Sequence, residues 1–270
     1  MKRVLRLMLF GLMLVSSVIT AGCAHRGEAS GTSAVTGERI TESDESTERK
    51  RARIRVELAL GYFEQGKATI ALDEIKQAIL ADPNFSDAYS LRGLIYMRLN
   101  DYAIAEDSFN KALSIDAKNV DVLHNLGWLK CQQSNYEQAF ALFGRALSDP
   151  LYTERAKTYR AFGLCQERAG LLKEAGASLL KSYEYDAGNP VTAYNLANVL
   201  FKQGELVRAQ FYIRRLNNSE LANAESLWLG IKVERRLASN EAVAQLATQL
   251  ERRFAQSTQA ALYRRGAFDE

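Results

Sequence analysis

Apolar and polar positions divide the chain into three stretches. An apolar run extends from Leu7 to Ile19 behind a basic start at Lys2, Arg3 and Arg6. As a helix this run reaches only about 20 Å, short of the roughly 30 Å hydrocarbon core. It therefore predicts a signal peptide over 1–22 rather than a transmembrane helix. Residues 24–51 (AHRGEASGTSAVTGERITESDESTERKR) carry almost no large apolar side chains. They bury too little surface to offset the entropy of ordering, so a flexible tether is expected, roughly 30 Å in r.m.s. span. Its last turn or two is placed to join the first helix. From residue 52 onward, small, large apolar and polar positions mix without the turn residues that an all-β domain needs, and Pro occurs only 3 times in 270 residues. That pattern predicts helix.

Residues 190–209 (PVTAYNLANVLFKQGELVRA) closely resemble the tetratricopeptide repeat, a helix–turn–helix unit of about 34 residues. In that family position 4 is large, 7 apolar, 8 small, 11 large, 20 Ala and 24 large. Laying this frame on the chain gives units at 52–85, 86–119, 120–153, 156–189, 190–223 and about 223–256, with two extra residues before the fourth. Arg92 at position 7, Lys130 at position 11 and Ser226 at position 4 depart from it. Gly93, Gly127, Gly163 and Gly230 at position 8 are expected to face Ala105, Ala139, Ala175 and Ala242 at position 20, so that helices A and B approach closely. A mid-helix Gly costs about 1 kcal/mol relative to Ala, so its recurrence implies a packing reason. Large residues at 4, 7, 11 and 24 are expected to bury between units, because one unit alone lacks a closed core. The resemblance implies an all-α, right-handed α-solenoid of about six repeats over 52–256, helix A on the concave side, with a capping segment over 257–270.

In this family, positions 2, 5, 9, 12 and 13 of helix A face the groove. Here they include Leu60, Phe63, Leu94, Met97 and Trp128 in the first three units, and Tyr194 and Phe201 in the fifth. Exposed aromatic and Met side chains clustered in a groove are typical partner anchors, so these seven are the candidate partner-binding residues. The alternative, that some turn into the stack or are covered by the tether, stays open. The matched Lys and Asn of a carboxylate clamp are not present. His124 and Cys131 occupy groove positions on one helix. They lie about 10 Å apart by rise, too far to form a catalytic dyad. Cys131 and Cys165 sit on A helices of adjacent units. A disulfide suits an oxidising compartment, although most such cysteines are small packed side chains.

Charge and chemistry narrow the function further. The net charge is +3, but without Lys2, Arg3 and Arg6 there remain 32 basic and 32 acidic residues. A nucleic-acid binder keeps a basic excess, so that class is disfavoured. Three Cys and two His fall in no metal-ligand spacing, and no nucleotide-binding or nucleophile motif appears. No metal, cofactor, small-molecule substrate or catalytic residue is expected.

Ile19-Thr20-Ala21-Gly22-Cys23 resembles the lipobox of bacterial lipoproteins, with Thr20 where Leu is more usual. That resemblance implies cleavage before Cys23, a lipid on its thiol, acyl chains such as palmitate, and firm anchoring. Plain secretion after Ala21, with Cys23 incidental, is the other reading. Ala24 follows where an Asp would resemble an inner-membrane retention signal, which favours the periplasmic face of the outer membrane. A lipobox, a polar tether and six repeats together, with Leu250-Glu251-Arg252-Arg253-Phe254 and Gln256-Ser257 near the C-terminal end, resemble the PilF/PilW family of type IV pilus biogenesis lipoproteins. The resemblance implies a pilotin that binds secretin subunits, or other pilus assembly proteins, and promotes their localisation and assembly. The alternative is a lipoprotein scaffold for cell-wall enzymes or outer-membrane protein assembly.

Overall fold

The structure, a computed structural model, describes residues 45–268. The expected signal peptide, lipidated Cys23 and most of the expected tether lie outside the described residues. The described residues form thirteen helices and no strand. They alternate as A and B helices of six pairs: α1 (Thr47–Glu64) with α2 (Ala68–Ala81), α3 (Ser86–Arg98) with α4 (Tyr102–Ile115), and α5 (Val120–Gln132) with α6 (Tyr136–Ser148). Then follow α7 (Arg155–Arg168) with α8 (Leu172–Tyr185), α9 (Pro190–Lys202) with α10 (Leu206–Asn217), and α11 (Ala224–Arg236) with α12 (Asn240–Phe254). A short α13 (Thr258–Arg265) packs on α11 and α12. Helix begins at Thr47, capped by Ser46, so the last residues of the expected tether belong to α1.

Consecutive A helices touch one another along the whole array. Among the described residues the backbones of consecutive B helices do not approach one another, although the Tyr183 ring of α8 meets the Tyr212 ring of α10 at 5.0 Å. A stack that is closed on one layer and splayed on the other must curve, with the A helices inside. This is the α-solenoid of tetratricopeptide repeats.

Turn chemistry repeats with the frame. Each A helix ends on one residue in the left-handed region: Gly66, Asn100, Ser134, Gly170, Gly204 and Ala238, with φ between 58° and 79°. The turns from B back to A use aspartate instead. Asp82, Asp116, Asp149 and Asp186 each accept the backbone N–H two residues on, a local bond that stops the preceding helix.

The glycines at position 8 meet a different partner from the one expected. A Cβ on Gly93 would lie 2.5 Å from Cε1 of Phe109, and one on Gly127 would lie 3.0 Å from Phe143. At Gly163 the nearest atom is Cγ of Leu179 at 2.7 Å, with the Ala175 carbonyl oxygen at 3.1 Å. Gly230 meets Asn217 Nδ2 at 2.5 Å and Leu246 at 3.1 Å. At Gly93, Gly127 and Gly163 the glycine thus makes room mainly for the large residue at position 24, not for the alanine at position 20, while Gly230 first meets Asn217 of the preceding B helix. Where position 24 is the β-branched Ile75 or Ile213, position 8 is Ala59 or Ala197, and the pairs share core clusters.

Position 7 buries as expected only where a preceding unit exists. Leu126, Leu196 and Leu229 pack into the cores of the units before them. Leu58 has no described unit before it and stays 42% exposed. Arg92 and Lys130 replace apolar contacts with directed ones. The Arg92 guanidinium lies 5.4 Å over the Tyr96 ring and donates to Ser108 Oγ at 3.2 Å. Lys130 lies along the stack and reaches Glu106 at 2.5 Å.

Candidate functional site: the inner face of the A helices

The candidate residues fall at three registers of the inner layer. Leu60, Leu94 and Trp128 are at position 9, Phe63, Met97 and Phe201 at position 12, and Tyr194 at position 5. Leu60 is exposed and belongs to no core cluster, and the other six are half-buried. Phe63 and Leu94 pack against one cluster, and Leu94 with Met97 against the next, so the first two units share a continuous apolar wall. Trp128 lies against the cluster that holds Cys131 and Cys165. Tyr194 and Phe201 pack on the fifth unit's core, apart from the first group. Apolar exposure is not confined to this face. Leu80 and Phe211, on B helices, are also exposed.

Two rings of the wall lie under cations, an arrangement the sequence reading missed. Arg98 sits 5.2 Å over the Phe63 ring and donates to the Phe63 carbonyl. Arg168 sits 4.9 Å over Trp128. Lys202 reaches Glu167 at 2.8 Å. In each case a basic residue at position 13 reaches back to position 9 or 12 of the previous A helix. Each contact at an exposed ring contributes about 0.5–1 kcal/mol, and together they tie neighbouring units. The signal was present as a recurring basic residue at the end of α3, α7 and α9. It also suits the negative end of the helix dipole, so sequence alone does not give it a partner.

Two groove assignments are corrected. Cys131 and Cys165 form a disulfide, with Cα atoms 5.8 Å apart, and both are buried between α5 and α7. His124 is also buried, not presented to the groove. Its Nδ1 lies 2.8 Å from Thr158 Oγ1, which lies 2.7 Å from the Tyr152 hydroxyl. Tyr152 belongs to the longer loop before α7. The chain of groups is satisfied when Tyr152 donates to Thr158 and Thr158 donates to a neutral ring.

Burial, reinforced by the charges of Lys157 and Arg160, holds the His124 imidazole at about 3, well below its ordinary 6.5. The unfolded chain binds this proton below about pH 6.5 and the native chain only near 3. Stability contributed by neutral His124 is therefore present above pH 6.5 and lost as pH falls toward 3. Urea unfolding at pH 7 and pH 5 is expected to show a loss of about 2 kcal/mol in the wild-type chain that His124→Gln lacks. Equal losses in both would place the proton elsewhere.

At the C-terminal end, α11 carries buried Glu234 against α10. Arg214 Nε donates to it at 2.6 Å and Gln210 Nε2 at 2.9 Å. Burial alone would raise this carboxyl, but the hydrogen bonds from Arg214 and Gln210, with Arg214's charge, hold it below its ordinary value. Among the described residues no group of three His, Cys, Asp or Glu side chains is placed to hold a metal ion.

Comparison with known proteins agrees with this architecture. Tetratricopeptide repeat family models match residues 56–120 and 108–141. The type IV pilus assembly protein PilF of Pseudomonas aeruginosa is 28% identical over 197 residues, 73% of this chain and 78% of its own. The solved structure of Pseudomonas aeruginosa PilF superimposes with a TM-score of 0.73 at 26% identity, over 82% of this chain and 100% of that one. The structure of PilW, described as a widely conserved type IV pilus biogenesis factor, gives 0.72 at 28% identity over 78% and 97%. Six A–B helix pairs on the tetratricopeptide frame make this a tetratricopeptide-repeat α-solenoid, and the likenesses over most of the chain make it a homologue of PilF that is also similar in structure to PilW.

Proposed function

We propose that the chain is a pilotin: an outer-membrane lipoprotein, anchored through Cys23, whose inner A-helix face binds secretin subunits and promotes their localisation and assembly. Likeness to PilF and PilW supports a part in type IV pilus biogenesis through protein–protein contacts. The observation that carries the docking surface is the unsealed apolar wall of the first three units, from Leu60 to Trp128. Catalysis has no part in this reading. Lipid supplies location, the wall holds a partner segment, and confinement raises the effective concentration of subunits.

The test is recovery of partners from detergent-solubilised envelope. Wild-type chain should bring down a secretin, and Leu60→Asp with Trp128→Ala should recover at least about tenfold less while keeping its helical content. Leu60→Asp alone serves as the readout if Trp128→Ala loosens the cluster around the disulfide. Recovery of murein enzymes in place of a secretin would favour the scaffold reading and defeat this one.

A further inference from the structure

Between the last two A helices, beyond the apolar wall, lies a cavity of about 310 Å³ lined by Phe201, Lys232, Arg235, Arg236 and Phe268. Its character differs from the rest of the inner face. Among the described residues, the three charged ones that line it are basic. Arg235 lies 3.8 Å over the Phe268 ring, Arg236 lies 5.9 Å over Phe201, and Lys232 lies between Phe201 and Trp228 at 5.9 and 5.7 Å. Phe268 itself stacks on Trp228 at 5.3 Å, so the residues after α13 complete the cavity wall.

Several cations elsewhere in the stack have a carboxylate partner. Lys202 has Glu167, Arg214 has Glu234 and Arg264 has Glu251. Arg235 and Arg236 reach no carboxylate among the described residues. A guanidinium stacked on a ring uses its face and keeps its in-plane N–H edge for an acceptor. The stacking also fixes the side chain in advance, which lowers the entropy lost on binding. The Arg235 edge held this way, with Arg236 next to it and two phenyl walls beside them, matches a carboxylate next to an apolar side chain.

We infer that this cavity is a second docking site, specific for an acidic segment of a partner polypeptide whose carboxylates sit on Arg235 and Arg236 and whose apolar side chain enters between Phe201 and Phe268. Its place on the inner layer favours a polypeptide over a membrane, because a flat lipid surface meets the outer B layer of a curved stack first. The inference extends the reading of the A-helix face as a docking surface and rests on it.

The test titrates the full chain with three probes: a labelled peptide alternating Glu and Phe, the same peptide with Gln for Glu, and vesicles containing phosphatidylglycerol. The acidic peptide should bind, weaken steeply with added salt, and exceed the Gln peptide by about tenfold or more. Arg235→Gln with Arg236→Gln should abolish that difference with an unchanged melting temperature, and Phe268→Ala should weaken both peptides. Asp269→Asn with Glu270→Gln, which removes the carboxylates next in sequence, should bind the acidic peptide at least as tightly. Equal binding of the two peptides, no peptide binding, an unaffected arginine variant, or binding to vesicles alone would each overturn the assignment. If the arginine variant still recovers a secretin while Leu60→Asp does not, the cavity inference fails and the function proposed for the first three units stands.

Discussion

Replacing Cys131 and Cys165 together by alanine is expected to lower the free energy of unfolding by about 3–4 kcal/mol. The bridge closes a loop of 34 residues, and closing a loop of that length restricts the unfolded chain by about this amount. Alanine is the right replacement because both sites are sealed, and a serine hydroxyl there would add an unpaired polar group. In a linear array the loss should concentrate where units three and four meet. Hydrogen exchange should therefore quicken in α5 to α8 first. A reductant should reproduce the effect in the wild-type chain and change nothing in the variant. Two additional titratable thiols in the unfolded, unreduced protein would contradict the bridge.

The second large effect concerns the fit between positions 8 and 24. Phe109→Ala is expected to cost about 3–5 kcal/mol, because its fully buried ring fills the space above Gly93. Gly93→Ala should also destabilise. A methyl placed 2.5 Å from the Phe109 ring forces the ring to move, and overpacking of about 1–3 kcal/mol exceeds the gain in helix propensity of about 1. The informative variant combines Gly93→Ala with Phe109→Ile, which copies the Ala59–Ile75 and Ala197–Ile213 pairs already in the chain. It should recover most of the stability lost in Gly93→Ala, as read by urea unfolding. A double variant no better than Gly93→Ala would show that the glycine answers to something other than the residue at position 24.

How much of this could be read beforehand depended on how local the determinant was. The six helix pairs were legible because each unit repeats its own small and large positions, and six copies in one phase outweigh departures such as Arg92 and Lys130. Ser226 looked weak at position 4, yet it caps α11 reciprocally with Asn223, a role visible only once the helix start is known. The groove was legible as a set of positions but not as a surface. Whether His124 turns inward depended on Thr158, a full repeat away, and on Tyr152 in the irregular loop. The bridge depended on the separation of two A helices, which sequence spacing does not give. The same holds for Arg98 and Arg168. A basic residue at a helix end has a local reason to be there, and only the neighbouring unit shows that it also covers a ring.

These contacts refine the docking surface. The wall of the first three units is an apolar strip partly shaded by Arg98 and Arg168, and Leu60 is its most open member. A photoreactive amino acid at position 60, compared with one at exposed Phe211 on the outer layer, tests the central claim most directly. In intact envelopes, position 60 is expected to crosslink a secretin subunit and position 211 is not. Crosslinking from position 211 with none from position 60 would contradict docking on the inner face.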